Sequence, residues 1–164
     1  MAMNNADHGY QIQIDQLREQ GGYDFVSLAF EQSASNGFVI TWQYASGNLN
    51  NRYKRIVLQS GRGIAGIVFK TGKPMVVPNV LTLLPQEELF NYPILVSERL
   101  RSLAALPLFQ HDRVAGVLLV GYREVDRMTK LALEQLQHML GGSFGSFVTK
   151  ELSFHDNADR SPIS

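Results

Sequence analysis

The chain has no cysteine at any of its 164 positions. That absence removes disulfides, thiol nucleophiles, redox CxxC pairs, cysteine-ligated zinc, iron–sulfur clusters and thiol-linked chromophores together. Neither sign of charge prevails, since 15 Lys+Arg stand against 15 Asp+Glu. A neutral chain lacks the basic excess that supplies most nucleic-acid affinity or holds a module on an anionic membrane. Long hydrophobic runs are missing as well. The longest, Val114–Val120, falls far short of the roughly 20 residues that a membrane helix needs. Met1–Gln11 has neither the basic nor the apolar region of a signal peptide. These absences point to a cytoplasmic protein whose chemistry, if any, is thiol-free.

What is present suffices for one core. A chain of this length buries roughly 70% of its unfolded surface without staples. Tyr10, Ile14 and Leu17 are spaced for a helix over Tyr10–Gln20, ended by Gly21-Gly22. Phe25–Phe30 and Phe38–Tyr44 read as strands around Asn36-Gly37, a hairpin signal. In the second strand Val39, Thr41 and Gln43 fall on one side, and Ile40, Trp42 and Tyr44 on the other. Arg55–Leu58 starts a further strand, Gly61–Lys70 is a glycine turn feeding a short helix, and Met75–Val77 is again a strand. Between Leu81 and Leu100 a helix start at Pro85 is interrupted at Tyr92-Pro93. Ser102–Phe109 and Val114–Tyr122 form a second strand pair, and a helical stripe runs over Thr129–Leu152. The expectation is an α+β fold with one antiparallel sheet of about five to six strands. Residues 10–152 form its single domain, between a flexible N-terminus (1–9) and a disordered tail (153–164).

Gly61-Arg-Gly-Ile-Ala-Gly66 matches GxGxxG literally. A dinucleotide site, however, needs a longer crossover helix and an acid at the end of the next strand, and MVVPNV has none. The local physics survives: N–H groups at the start of a helix, with its positive dipole end, suit an anion. Water or a neighbouring loop could equally satisfy those donors. Gly141-Gly-Ser-Phe-Gly145 matches GxSxG, but it falls inside the terminal helical stripe rather than on a strand-to-helix elbow. His8, His111, His138 and His155 show no metal-ligand spacing, and Glu87-Glu88 reads as a solvated helix start. Arg52, Lys54 and Arg55, with Arg62 and Arg101 apart, are too few for a nucleic-acid groove. The single tryptophan, Trp42, reads as core, but its indole N–H needs a partner once buried.

The run RIVLQSGRGIAGIVFKTGKPMVVPNV, followed by RSLAALPLFQHDRVAGVLLVGYREV and a long terminal helix, resembles a GAF domain. The resemblance covers Asp24–Leu152 and implies terminal helices on one face of the sheet and a ligand pocket on the other. It also implies which activities to set aside. Bilin attachment and GAF-type methionine-sulfoxide reduction both use cysteine, and the Asn-Lys…Phe…Asp-Glu signature of cyclic-nucleotide binders is missing. WQYASGN, NRYKRIVL, GRGIAG and NYPIL are most similar to stand-alone nitrate receptors of that family, which act with an oxygen-sensing histidine kinase.

That likeness implies a nitrate cavity formed by Trp42, Ile64, Ala65 and Ile94, with Ile64 standing where leucine is expected. Gly63, Gly66, Tyr92 and Pro93 would complete the wall. It further implies a non-enzymatic sensor in nitrate respiration and two-component signalling. Such a sensor has nitrate as ligand, no cofactor or metal, a sensor histidine kinase as partner and the Pro85–Leu100 segment closing over the pocket. Homodimerisation is compatible with it. The competing expectation is a ligand-free GAF adaptor. Its terminal helices would pair with a second copy or a partner, helped by the close approach that Gly141 and Gly145 permit.

Overall fold

The computed structural model describes residues 5–150. The N-terminal residues 1–4 and the expected tail lie outside the described residues. Helix α1 (Asn5–Gly21) starts five residues earlier than the apolar spacing suggested. Strand β1 (Phe25–Ala34) and strand β2 (Gly37–Ser46) then form the expected hairpin. A 3-10 turn over Arg52–Arg55 follows, so the strand expected from Arg55 is only β3 (Val57–Leu58). Helix α2 (Gly63–Thr71) ends at Gly72, which adopts φ +66°, a left-handed C-cap that glycine takes at no steric cost.

Strand β4 (Met75–Val77) precedes a segment of short pieces. These are α3 (Val80–Leu83), a 3-10 turn over Gln86–Asn91, and α4 (Pro93–Ser97), with Pro93 opening α4 at its first turn. Strands β5 (Ser102–Gln110) and β6 (Arg113–Tyr122) pair through a two-residue turn. His111 (φ +54°) and Asp112 (φ +62°) occupy that turn, the positive-φ pair that matches strand twist.

Among the described residues every strand pairing is antiparallel, and eight strands run β3-β2-β1-β6-β5 before ending in β8 and β7, with β4 also on β5. The strand count exceeds the expectation for one reason. Thr129 caps helix α5 through its side chain, but α5 ends at Leu140, not Leu152. Gly141 (φ +61°) and Gly142 (φ +92°) reverse the chain into the small hairpin of β7 (Ser143–Phe144) and β8 (Phe147–Val148). Gly145, at φ +59°, is likewise left-handed, so Gly141 and Gly145 are not two positions on one helix face. The close-approach argument for an adaptor helix falls with them. The GxSxG match sits in a hairpin, where Ser143 starts one strand and the next strand follows it.

Alternation along the strands buries both faces of the sheet. Val26, Leu28, Ala104, Leu106, Leu118 and Val120 pack toward α1 and α5. Phe25, Ala29, Leu103, Ala105, Val117 and Leu119 pack toward α2 and α4. The terminal helices therefore share one face, as expected.

In β2 the register shifts opposite Leu28/Ala29: Leu28 faces Tyr44, whereas Ala29 faces Trp42. Gln43 is the extra residue of a β-bulge, which inverts the alternation. Ile40 and Trp42 stay on the α2 face, and Tyr44 turns to the other, edge-on to Tyr10 and Phe30. The expected grouping of Tyr44 with Ile40 and Trp42 is corrected accordingly.

Candidate functional site

The glycines of GRGIAG each answer a local demand. Gly61 (φ +88°) and Gly63 (φ +68°) take backbone angles that a side chain disfavours. Gly66 has ordinary angles, but a Cβ there would lie 2.4 Å from the Gln59 carbonyl oxygen. The Gly61 N–H donates to the Gly66 carbonyl at 2.7 Å, and the Arg62 N–H donates to Gln59 O at 2.9 Å. The loop is thereby folded hard against the first turn of α2.

That fold leaves the start of α2 buried and uncapped. Its N-cap residue, Arg62, is extended and makes no side-chain cap, and Gly63, Ile64, Ala65 and Gly66 are all buried. No turn or loop carbonyl of the described residues accepts from the Gly63, Ile64 or Ala65 amides. Helices leave these first donors unmatched inside the helix itself, and burying them without partners is costly.

A second kind of donor joins them. Trp42 is 2% exposed, and its indole Nε1–H is buried without a hydrogen-bond partner. Ile64, Ala65 and Ile94 are buried to a similar degree, and all four residues belong to one core cluster. These are the four positions expected at the site. Tyr92 packs against the cluster from its rim, and Pro93 is half-buried at the start of α4.

The bulge at Gln43 leaves Trp42 on the face of the sheet that α2 and α4 cover, and α2 and α4 touch one another. Among the described residues no Lys or Arg side chain is buried. The unmatched polar atoms of β2 and of the α2 start are N–H donors, suited to an electron-rich group of a few atoms, while Ser97 Oγ and Glu98 Oε2 are buried without partners at the end of α4.

Tyr53 and Glu98 were not anticipated. Tyr53, from the 3-10 turn, is buried in the same cluster. Its phenol is raised above the usual value, by burial first and then by the nearby Glu98 charge, and so keeps its proton. Glu98 follows α4 and is fully buried. Neither carries a periodicity or spacing signal, because each is a single polar group whose setting depends on distant chain segments.

Three surface depressions bordered by α1, α5 and the terminal hairpin lie on the opposite side of the sheet. One of about 620 Å³ is bordered by Glu134, His138, Gly141 and Lys150. Among the described residues no group of three or more His, Asp or Glu side chains could hold a metal ion. None of the described helices is long and apolar enough to cross a membrane.

A family model described as GAF domain matches residues 10–143. No curated protein matches the chain. Among solved structures, NreA from Staphylococcus aureus, mutated in its nitrate-binding site, is 46% identical with a TM-score of 0.73. That alignment covers 76% of this chain and 91% of NreA. A hypothetical protein from S. aureus is 47% identical, TM-score 0.71, over 74% of this chain and 98% of that one. Free methionine-R-sulfoxide reductase from Neisseria meningitidis shares the fold at 20% identity, TM-score 0.61, over 81% of this chain and 74% of its own.

Proposed function

This chain belongs to the GAF domain family, and from that premise we propose that it is a nitrate-binding sensor protein. The observation that carries the reading is the convergence of unmatched donors. The Trp42 indole and the uncapped α2 amides are buried on the same face of the sheet, and no Lys or Arg side chain is buried with them. The likeness to an S. aureus protein with a nitrate-binding site, at 46% identity, supports the choice of anion.

The chemistry favours a small, weakly basic, monovalent anion. Burying a charge costs several kcal/mol unless hydrogen bonds replace its water. Nitrate spreads one charge over three oxygens, so two or three N–H donors and a helix dipole can hold it. A phosphate would ask for more charge or more donors. In this reading Trp42 donates through Nε1, Ile64 and Ala65 donate through their backbone amides, and Ile94 closes the apolar side. Gly63 and Gly66 let the loop approach, and Tyr92 and Pro93 form the rim. The protein is a sensor rather than an enzyme, and the reductase that shares its fold offers no shared chemistry to a chain without cysteine.

Isothermal titration calorimetry with sodium nitrate tests the binding. A saturable one-site heat is expected, and a flat titration at millimolar nitrate removes the reading. The signalling half of the proposal is that nitrate occupancy changes contact with an oxygen-sensing histidine kinase of a two-component system in the cytoplasm. A ligand does this only if it binds the free and kinase-engaged forms unequally. Kinase autophosphorylation measured with this protein, with and without nitrate, tests that half separately.

The alternative is a ligand-free adaptor. One observation favours it: Trp42, Ile64, Ala65 and Ile94 are all nearly fully buried, as side chains filling their own cavity would be. It leaves the unpartnered indole N–H without an explanation.

A further inference from the structure

The neutrality of the chain conceals a division along its length. From Gln32 to Gln86 there is no Asp or Glu and there are six Lys or Arg, so the remainder is net negative by the same amount. The acid-free stretch supplies Trp42, Ile64 and Ala65.

The cations of this stretch are concentrated beside those residues. Arg52, Lys54 and Arg55 sit exposed on one four-residue turn whose remaining member, Tyr53, is buried in the cluster with Trp42 and Ile94. That turn touches β2, which carries Trp42, and α4, which carries Ile94. Arg62 is the exposed N-cap of α2, and Lys70 folds back over the Gly61 loop. The ion pairs among the described residues are Arg123–Glu98 and Arg127–Glu124, so none of these five cations is neutralised.

We propose that this belt of unpaired cations is an electrostatic collector that draws small anions to the buried donors. The inference rests on the anion-binding reading of the site. Field and site divide the work. The donors inside decide which anion stays, and the cations outside raise the rate at which any anion arrives. Clefts rimmed by one sign of charge concentrate oppositely charged ligands and accelerate their association. The effect fades as added salt shortens the Debye length below the separation of cations and site. Glu98, whose charge reaches Tyr53, is paired with Arg123, and Glu87 and Glu88 lie on the separate, exposed turn before α4.

The test uses the single tryptophan. Trp42 fluorescence in stopped flow reports nitrate arrival in the full chain and in the triple variant Arg52→Gln, Lys54→Gln, Arg55→Gln. Ionic strength is set with sodium gluconate. The side chains changed are exposed, so the fold should persist, and circular dichroism checks it. The association rate of the variant should fall roughly five- to ten-fold at low ionic strength. Its dissociation rate should stay nearly constant, and the two proteins should converge as salt rises.

Charge reversal by Lys54→Glu alone should slow association in the same sense. Equal association rates and equal salt slopes would overturn the collector while leaving nitrate binding intact. If neither protein binds nitrate at all by calorimetry, the reading of the site fails, and the collector with it.

Discussion

Arg123 Nη2 donates to Glu98 Oε1 at 2.7 Å, with Glu98 fully buried and the arginine side chain 23% exposed. The same guanidinium donates to the carbonyl oxygens of Glu98 (2.9 Å), Gly47 (3.0 Å) and Asp24 (3.3 Å). Glu98 Oε1 also accepts the Leu49 N–H at 2.9 Å, and the Glu98 N–H donates to Ile94 O at 3.1 Å. One ion pair thus ties the starts of β1 and the Gly47–Leu49 loop to the helix end that follows Ile94. Removing one partner of a buried pair leaves an unmatched charge, at about 3–5 kcal/mol. Glu98→Ala should lose stability on that scale in urea denaturation and should loosen nitrate binding through Ile94. A loss under about 1 kcal/mol would mean that water reaches Arg123 and the pair holds little.

Trp42→Phe separates the indole N–H from the ring. Losing a hydrogen bond to a charged group, about 1.5–3 kcal/mol, corresponds to a fall in nitrate affinity of roughly ten- to hundred-fold. Stability should change by only about 1–2 kcal/mol, since the void left by the smaller ring is offset in part by removing an unmatched donor. Calorimetry and denaturation on one preparation measure both quantities.

Gly66→Ala and Gly9→Ala should act in opposite directions. Alanine is usually the better helix residue by about 0.5–1 kcal/mol. At Gly9 nothing lies within 4 Å of the added Cβ, so the gain should appear. At Gly66 the Cβ would press on the Gln59 carbonyl at 2.4 Å. Relieving that contact should cost about 1–3 kcal/mol and displace the α2 amides, lowering nitrate affinity as well. Thermal melts of the two variants against the parent check the sign.

Alkaline pH should destabilise the protein. Burial is the first cause that raises the Tyr23, Tyr53 and Tyr122 phenols above the usual 10.0. The Tyr122 ring adds to that of Tyr23, and Glu98 to that of Tyr53, whereas Arg127 opposes the rise at Tyr122. Above pH 10 the folded chain therefore holds more protons than the unfolded chain, so stability falls as pH rises and is unaffected below that point. Absorbance at 295 nm, followed with circular dichroism, should show late-ionising tyrosines that titrate with unfolding.

The fold was legible where one residue type dictates one backbone state. Gly21-Gly22, Asn36-Gly37, Gly72 and Tyr92-Pro93 punctuate the chain where their chemistry requires. The terminal segment misled because Phe144, Phe147 and Val148 fit a helical stripe as well as a hairpin. Only the left-handed angles at Gly141 and Gly142, which glycine permits but does not compel, distinguish the two. Tyr44 misled for a related reason, since a bulge shifts the pattern by one residue without changing its composition.

The candidate site was legible as a set of residues through family likeness, and as donors through Trp42 and the glycine loop. The Glu98–Arg123 pair was not legible, because it joins residues 25 apart whose meeting depends on the finished sheet.

A nitrate ion bound as proposed completes the hydrogen bonding of Trp42, Ile64 and Ala65. With one tryptophan in the chain, a ¹⁵N-labelled sample gives one indole N–H resonance in a proton–nitrogen correlation spectrum. Titration with nitrate should move that resonance downfield together with the Ile64 and Ala65 amides, saturating at one equivalent bound. An indole resonance that stays in place at millimolar nitrate would contradict the account.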